Sequence, residues 1–316
     1  MKIADVVSQL ADCQDAVILT HRSPDGDTLG SAFALCRILR KMGKRAQVLY
    51  DGVLYERFEF LENGLEKQEF EPKTVIAVDI ADNKLMPAEI KEKYGECVDL
   101  CIDHHGSNTK YAKNTYVDSS CAAVGEIIYQ LANMLAVELD TEIAKAIYTA
   151  ISTDTGCFRF GNTTAQSHKI AAQLMEFDIC AEEINRVMFE SFTKQRVELE
   201  QILLQNLEYF SDDKGVIMLI SQDAMEKSGA CDADVEGLAA IPRSIKGVMV
   251  GITMKEKNDG FKISVRTTPQ VNACSICSEF GGGGHTAAAG GYIKGTLEEA
   301  KNIVIEASKK YISQVL

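Results

Sequence analysis

The sequence contains no apolar stretch long enough to cross a membrane. A transmembrane helix needs about 18 or more largely uncharged apolar residues, and no segment of the 316-residue chain reaches that length. The opening MKIADVVSQL also lacks the basic start and uninterrupted apolar block of a secretory signal. We therefore expect a cytoplasmic protein with no membrane partner.

A cysteine framework is missing as well. Ten cysteines are scattered along the chain, and only Cys274 and Cys277 form a CxxC pair. No second pair and no nearby histidine accompany them, so a structural zinc site is not expected. Cysteines of an intracellular protein are mostly reduced and buried, and we expect this pair to lie on one face of a core helix.

Basic residues are too few for a protein that coats long nucleic acid, because such binding relies on many Lys and Arg side chains. The chain has 33 Lys and Arg against 46 Asp and Glu, a net charge of −13. Residues 1–185 carry −11 of this charge and residues 186–316 only −2. Most of these carboxylates would keep the surface soluble, but the acidic excess lies in the part of the chain where a cation site is predicted below.

Length and composition, with 46% hydrophobic and 25% charged residues, favour two folded domains. In the first part, the strand-like runs DAVILTH, RAQVLY, TVIAVD and CVDLCID are interspersed with helical stretches at 29–42, 121–136 and 141–153. Strands that alternate with helices predict an α/β fold with a mainly parallel sheet covered by helices on both faces.

A helix over roughly residues 180–210 is predicted to connect this sheet to a second, smaller α/β domain. In that domain GVIMLI, GVMVGITM and FKISVRTT are strand-like, and residues 271–280 and 297–313 have helical spacing. We place the boundary near residue 190, which gives a first domain of residues 1–190 and a second domain of residues 191–316.

Candidate metal ligands follow the strands of the first domain. In open α/β sheets, ligands bind beyond the carboxyl ends of the strands. Here those ends and one helix end carry His21, Asp25, Asp27, Asp79, Asp103, His104, His105 and Asp154. Each has an ordinary explanation when taken alone. An Asp in a PDGD turn, for example, is usually a turn residue or a helix N-cap. Three of the five histidines in the chain fall in these segments, however, and carboxylate with imidazole suits Mn²⁺, Fe²⁺ or Zn²⁺ better than Ca²⁺.

A second candidate site is the glycine run Gly281–Gly284, which is followed by His285. A loop without side chains lets backbone N–H groups approach a phosphate, and the histidine would add a donor; a merely flexible loop is the alternative. Arg266, at the end of an alternating strand, is a candidate phosphate clamp, although a single arginine on a strand is ordinarily just solvated. Arg159 is a weaker candidate for the same role.

Four segments, HRSPDGDTLGS, AVDIAD, IDHHGSN and STDTGCFRF, resemble the four successive motifs of the DHH phosphoesterases. Further along, SVR, the dipeptide VN and FGGGGHTAAAGG resemble the DHH-associated substrate-binding domain, and together the motifs span residues 21–291. In length and in the PDGD form of its first motif, the chain is most similar to the nanoRNase and pAp-phosphatase branch, which lacks the extra domains of the RecJ exonucleases.

The resemblance implies a role for each residue. One divalent ion would be held by His21, Asp25 and Asp79, and a second by Asp27, Asp79, His104 and Asp154. Asp103 would orient a neighbouring ligand, and His105 would face the substrate phosphate. The implied substrate-binding residues are Arg266, Gly282, Gly283, Gly284, His285 and Arg159. We expect two Mn²⁺ ions, with Mg²⁺ or Co²⁺ as alternatives, because a pair of cations lowers the pKa of a water and neutralises charge on the reacting oxygens.

We therefore expect a hydrolase that converts oligoribonucleotides of about two to five nucleotides to mononucleotides, and pAp to AMP. One alternative is a phosphodiesterase for cyclic dinucleotides or their linear products pApA and pGpG. Another is a nucleotide sensor without activity, which the intact set of ligands argues against. The expected partners are short nucleotides and not long nucleic acid. The sequence leaves the oligomeric state open, a homodimer included.

Overall fold

The computed structural model describes residues 1–235 and 237–315. They fold into two compact units, the first from Met1 to Ser191 and the second from Phe192 onward. Each unit has its own β-sheet with helices packed on it, which confirms the predicted fold class. Every described helix is too short or too polar to cross a bilayer.

The sheet of the first unit has five parallel strands. These are β1 (Ala16–Leu19), β2 (Ala46–Leu49), β3 (Thr74–Val78), β4 (Leu100–Asp103) and β5 (Asn114–Val117), and their order is β2-β1-β3-β4-β5. Ile18 packs into the larger core on one face, and Val17 and Leu19 pack into a smaller core on the other. Because both faces are buried, the central strands are apolar at nearly every position. Strand β5 is partly exposed and lacks this pattern, so it was not predicted.

The helices of the first unit are α1 (Ile3–Asp12), α2 (Gly26–Lys41), α3 (Ala88–Tyr94), α4 (Val124–Met134), α5 (Thr141–Asp154), α6 (Ala165–Met175) and α7 (Ala181–Phe189), with 3₁₀ helices at Glu56–Glu62 and Asn83–Leu85. Helices α2 and α5 pack closely: a Cβ on Gly30 would lie 2.4 Å from the carbonyl oxygen of Ala146, and one on Gly26 would meet Thr153. This contact places the first turn of α2 beside the last turn of α5.

The second unit is a mixed sheet with helices on it. Its described strands are β6 (Glu208–Phe210), β7 (Gly215–Ile220), β8 (Val250–Lys257), β9 (Gly260–Thr267), β10 (Gly283–Gly284) and β11 (Ala288–Lys294). Its described helices are α8 (Lys194–Gln205), α9 (Gln222–Ser228), α10 (Ile241–Ser244), α11 (Ala273–Ser278) and α12 (Leu297–Ile312), with 3₁₀ helices at Asp232–Val235 and Leu238–Ala240. The strand order is β10-β11-β9-β8-β7-β6, and only β7 and β8 are parallel.

The single connecting helix predicted over residues 180–210 is wrong, because two helices occupy this stretch. Helix α7 ends at Phe189, and α8 begins at Lys194. Thr193 explains the new start: its side chain accepts a hydrogen bond from the backbone N–H of Arg196 and thus caps α8. A good capping residue in the middle of an otherwise helical pattern favours a break over a continuous helix.

Candidate metal centre

Three neighbouring strands bring the candidate ligands to one edge of the parallel sheet. Strands β1, β3 and β4 are adjacent, so their carboxyl ends lie side by side. His21 follows β1 by two residues, Asp79 follows β3 directly, and Asp103 ends β4. Asp79 has a left-handed backbone with φ of 58°, a conformation that Asp tolerates better than most residues, and its side chain is buried.

A first group of ligand atoms forms around His21. Its Nε2 atom lies 3.7 Å from Oδ2 of Asp25 and 3.8 Å from Oδ2 of Asp79. These atoms lie close enough together to hold one metal ion. The structure therefore brings together the three residues that the sequence assigns to the first ion.

A second group forms around His104. Its Nε2 atom lies 3.8 Å from Oδ2 of Asp27, 3.8 Å from Oδ1 of Asp79 and 3.9 Å from Oδ2 of Asp154. The close packing of α2 on α5 explains why Asp27 and Asp154 meet here, 127 residues apart in sequence. Asp79 thus presents Oδ2 to the first group and Oδ1 to the second.

His21 and His104 are oriented in the same way, by a hydrogen bond from the ring nitrogen that faces away from the carboxylates. Nδ1 of His21 lies 3.0 Å from the carbonyl oxygen of Arg22, and Nδ1 of His104 lies 3.2 Å from that of Cys121. A carbonyl oxygen only accepts, so Nδ1 carries the hydrogen, and in the neutral ring the lone pair is on Nε2. This tautomer is the one that a metal ligand requires.

The backbone of α2 holds Asp25 as a helix cap. Oδ1 of Asp25 accepts hydrogen bonds from the N–H groups of Asp27 and Thr28, each at 3.1 Å. Oδ2 remains directed at His21, and the side chain is half exposed. The capping explanation and the metal-ligand explanation of the PDGD turn are therefore both compatible with this geometry.

The start of α4 holds Asp27, which is buried. Its Oδ2 accepts from the N–H of Val124 at 2.8 Å, and its Oδ1 accepts from the N–H of Gly125 at 3.1 Å and from the hydroxyl of Ser31 at 3.0 Å. The N-terminus of a helix favours a negative charge, which explains how this carboxylate is accommodated in the interior.

The electrostatics of the cluster favour a cation. Burial, and then repulsion by Asp27 and other neighbouring carboxylates, raises the pKa of Asp79 well above its usual value. The same causes raise the pKa of Asp154 to about 8, and burial raises that of Asp27. Oδ1 of Asp79 is buried and accepts no hydrogen bond from the described residues. A divalent ion would supply the missing partner and offset the repulsion, so the donor set fits one.

Asp103 fixes the conformation of the triplet Asp103-His104-His105 through hydrogen bonds. It is fully buried, and its Oδ1 accepts from the N–H of His104 at 2.8 Å and from Nδ1 of His105 at 2.8 Å. Its Oδ2 accepts from the amide of Asn108 at 2.6 Å. Burial alone would raise the pKa of Asp103, but these hydrogen bonds lower it. Because both oxygens are engaged, Asp103 orients its neighbours.

Two amides that the sequence analysis missed contact this cluster. Asn108 bonds Asp103, and Asn162 donates from Nδ2 to Oδ2 of Asp154 at 3.1 Å. Their places in the sequence could have indicated them, because Asn108 is the last residue of the third motif, IDHHGSN, and Asn162 lies two residues after the fourth. Arg159, a predicted phosphate ligand, is exposed; its Nε donates to the carbonyl of Gly156 at 2.6 Å, and its guanidinium lies over the ring of Phe189.

The second unit brings Arg266 and His285 to the same end of strands β9 and β11. Arg266 is paired with Ala288 across these strands, and the N–H of His285 donates to the carbonyl of Ala288 at 2.8 Å. The Arg266 side chain donates to the carbonyl of Val265 and pairs with no carboxylate among the described residues. Burial lowers the pKa of its guanidinium. A partly buried cation without a counter-charge is suited to bind an anion.

The glycine run differs from the expected open loop. Gly283 and Gly284 form the short strand β10, which pairs with Gly290 and Ala289 of β11. A Cβ on Gly282 would lie 2.4 Å from the carbonyl oxygen of Gly290, whereas nothing lies within 4 Å of a Cβ on Gly283. Close packing against β11 therefore explains Gly282, and Gly283 has open space beside it.

Family models match both units of the chain. Residues 15–151 match the DHH family, N-terminal domain, and residues 213–314 match the DHHA1 domain. Among solved structures, an exopolyphosphatase-related protein from Bacteroides fragilis has the same fold. Its TM-score is 0.89 at 24% identity, over 99% of this chain and 97% of that one.

Curated relatives cover nearly the whole chain. A bifunctional oligoribonuclease and PAP phosphatase, NrnA, from Thermus thermophilus is 33% identical over 94% of this chain and 90% of its own length. The protein of the same description from Bacillus subtilis is 28% identical over 92% of this chain and 93% of its own length.

Proposed function

This chain belongs to the DHH family, and on that premise we propose that it hydrolyses oligoribonucleotides of about two to five nucleotides to mononucleotides, and pAp to AMP. It is a hydrolase of phosphate ester bonds, as its relatives are by name. The names of these relatives do not favour the alternative of a cyclic-dinucleotide phosphodiesterase.

The observation that carries the proposal is the position of Asp79 between two groups of ligands. We assign His21, Asp25 and Asp79 to one divalent ion, and we assign Asp27, Asp79, His104 and Asp154 to a second. Mn²⁺ is our first choice, with Mg²⁺ or Co²⁺ as alternatives. When bound, such ions would lower the pKa of a water and neutralise charge on the reacting oxygens.

Other side chains would act on the substrate. The hydrogen bond from Nδ1 of His105 to Asp103 fixes the imidazole ring, which we propose contacts the scissile phosphate. In the second unit, Arg266 and His285 would bind a substrate phosphate, and Gly283 would allow a backbone N–H to approach it. Arg159 is a further phosphate ligand in the first unit.

The test is a substrate panel on the purified full chain with Mn²⁺. We expect pAp and a 5′-phosphorylated dinucleotide to be hydrolysed and a cyclic dinucleotide to be a poor substrate, with all activity lost in chelator. Asp79→Ala run in parallel should be inactive. Preference for the cyclic dinucleotide would support the alternative, and tight binding of pAp without turnover would indicate a sensor. Full activity of Asp79→Ala would overturn the shared-ligand assignment.

A further inference from the structure

The backbone that leads into α4 contacts only one of the two ligand groups. We call residues Cys121–Gly125 the α4 entry segment. Its first carbonyl, that of Cys121, lies 3.2 Å from Nδ1 of His104, and its last two N–H groups donate to Asp27. Two members of the Asp27–His104–Asp154 group are therefore oriented by one short stretch of main chain.

Asn162 connects the third member of that group to the same segment. Its Nδ2 atom lies 3.1 Å from Oδ2 of Asp154, 3.1 Å from the Asp154 carbonyl and 3.1 Å from the carbonyl of Ala122. All three neighbours are acceptors, so the NH₂ end of the amide must face them. One lone pair of Asp154 Oδ2 is thereby engaged, and the same oxygen lies 3.9 Å from Nε2 of His104.

Glu126 holds the α4 entry segment from the other side. It is 1% exposed, and its Oε2 accepts a hydrogen bond from the N–H of Ala122 at 3.2 Å. Its Oε1 is buried and makes no hydrogen bond with the described residues. Both backbone polar atoms of Ala122 are thus fixed by side chains, the N–H by Glu126 and the carbonyl by Asn162.

The loop from Asp154 to Asn162 has a strained backbone. Gly156, Cys157 and Phe158 have consecutive left-handed φ values of 56°, 58° and 60°. For residues other than glycine this conformation costs about 1–3 kcal/mol each and persists only where the surroundings hold it. The strained turn reverses the chain so that Asn162 returns to Asp154.

We propose that Asn162 is a positioning residue that holds the Asp27–His104–Asp154 group ready for one cation, while His21 and Asp25 of the other group are oriented by separate contacts. His21 depends on a local contact instead, because its Nδ1 atom bonds the carbonyl of its own neighbour, Arg22. This inference rests on the proposed function, since it assumes that each group binds an ion. It predicts that the two ions respond differently to one substitution.

The test is calorimetric titration of the full chain with Mn²⁺. Wild type should bind two ions. In Asn162→Ala one ion should keep its affinity and the other should bind about 10–100-fold more weakly, which is the usual loss when an outer partner of a ligand is removed. Asn133→Ala is the matched control, because Asn133 is an exposed amide on α4 that donates to the carbonyl of Tyr129; both ions should bind as in wild type.

A second mutant, in which the other ligand group is disrupted, identifies the affected ion. In His21→Ala one tight ion should remain, and adding Asn162→Ala should weaken it. Asn162→Leu, which keeps a branched side chain but has no hydrogen-bond donor, should weaken it as Asn162→Ala does. The melting temperature of each metal-free variant reports whether it folds.

If wild type binds two ions and both Asn162 variants keep them at wild-type affinity, this inference alone is overturned. Equal weakening of both ions would overturn it too, because Asn162 would then not act on the Asp27–His104–Asp154 group in particular. If folded wild type binds fewer than two ions, the proposed function fails and the inference fails with it.

Discussion

The two units carry opposite electrostatic imbalances. In the first, the carboxylates of Asp27, Asp79 and Asp154 come together, and burial, with repulsion by neighbouring carboxylates, raises the pKa of each. In the second, the guanidinium of Arg266 is partly buried and has no carboxylate partner among the described residues. The first unit lacks positive charge at its site and the second lacks negative charge at its own.

This difference motivates our proposal for what each unit binds. A buried charge is costly unless a counter-charge accompanies it, so cations in the first unit and an anion in the second would relieve the two imbalances. A phosphate ester with divalent ions supplies both. The following variants are designed to break or sharpen this contrast.

The largest effect should come from Asp79→Asn, which keeps the volume of the side chain and removes its charge. One ligand oxygen becomes an NH₂ group that cannot bind a cation and the other loses its charge, so we expect turnover of pAp to fall by about 10³-fold or more, since two-ion stabilisation supplies several kcal/mol. The metal-free protein should melt at a higher temperature than wild type, because repulsion in the cluster is relieved. Asp51→Asn, at an exposed turn, is the control. A lower melting temperature would contradict our account of the cluster.

Arg266→Ala should come next, because it removes the unpaired cation of the second unit. A charged hydrogen bond contributes about 1.5–3 kcal/mol, so kcat/KM for pAp should fall by about 10–100-fold, mainly through KM. Lys262→Ala removes a cation from the same face of β9, four residues away, and should have little effect. Calorimetry should give unchanged Mn²⁺ binding in both variants; weaker Mn²⁺ binding in Arg266→Ala would show that the two sites are not separate.

The stability of the metal-free protein should fall as pH rises. Asp154 binds its proton more tightly in the folded chain, with a pKa of about 8, than in the unfolded chain. The folded state therefore holds more protons between about pH 4 and 8, and its stability decreases across that window. Between pH 6 and 9 we expect the melting temperature to drop by several degrees, as a change of 1 kcal/mol gives about 2–4 °C in a unit of this size.

Saturating Mn²⁺ should reduce or reverse this decrease, since the ion binds the ionised carboxylates. Asp154→Asn is the control, because it removes one of the three carboxyl groups with a raised pKa and should reduce the pH dependence. A metal-free melting temperature that rises from pH 6 to 9 would refute the assignment.

The smallest effects should separate two adjacent glycines of the second unit. Gly282→Ala places a Cβ 2.4 Å from the carbonyl oxygen of Gly290 and should destabilise the chain by about 1–3 kcal/mol. Gly283→Ala has open space and should change stability by less than about 0.5 kcal/mol. If Gly283 admits a phosphate, its alanine variant should nevertheless raise KM for pAp. An unchanged KM would leave β10 as a purely structural strand.

The sequence predicted the parts of the molecule that depend on local pattern. Strands β1 and β3 and the residues that follow them could be predicted because buried parallel strands are continuous apolar runs and their ends carry the polar residues. The short strand β5 was missed because it lacks the apolar pattern of a buried strand. The break before Thr193 was missed because the helical pattern continues through it.

Contacts between distant segments could not be predicted in the same way. Asn162 is an ordinary loop residue until the chain reverses through three left-handed residues, and the pairing of Gly283 with Gly290 exists only once β11 forms. The double role of Asp25, which caps α2 with one oxygen and faces His21 with the other, likewise exists only in the folded turn.

The hydrogen bonds from α4 and Ser31 to both oxygens of Asp27 have a consequence for metal exchange. The main chain of α4 and the hydroxyl of Ser31 keep this carboxylate in place before any ion binds. Metal binding therefore requires no refolding of the polypeptide. A chelator should therefore remove the metal reversibly. The ion that binds afterwards should depend on the concentrations and affinities of the available metals, and not on which metal was present when the chain first folded.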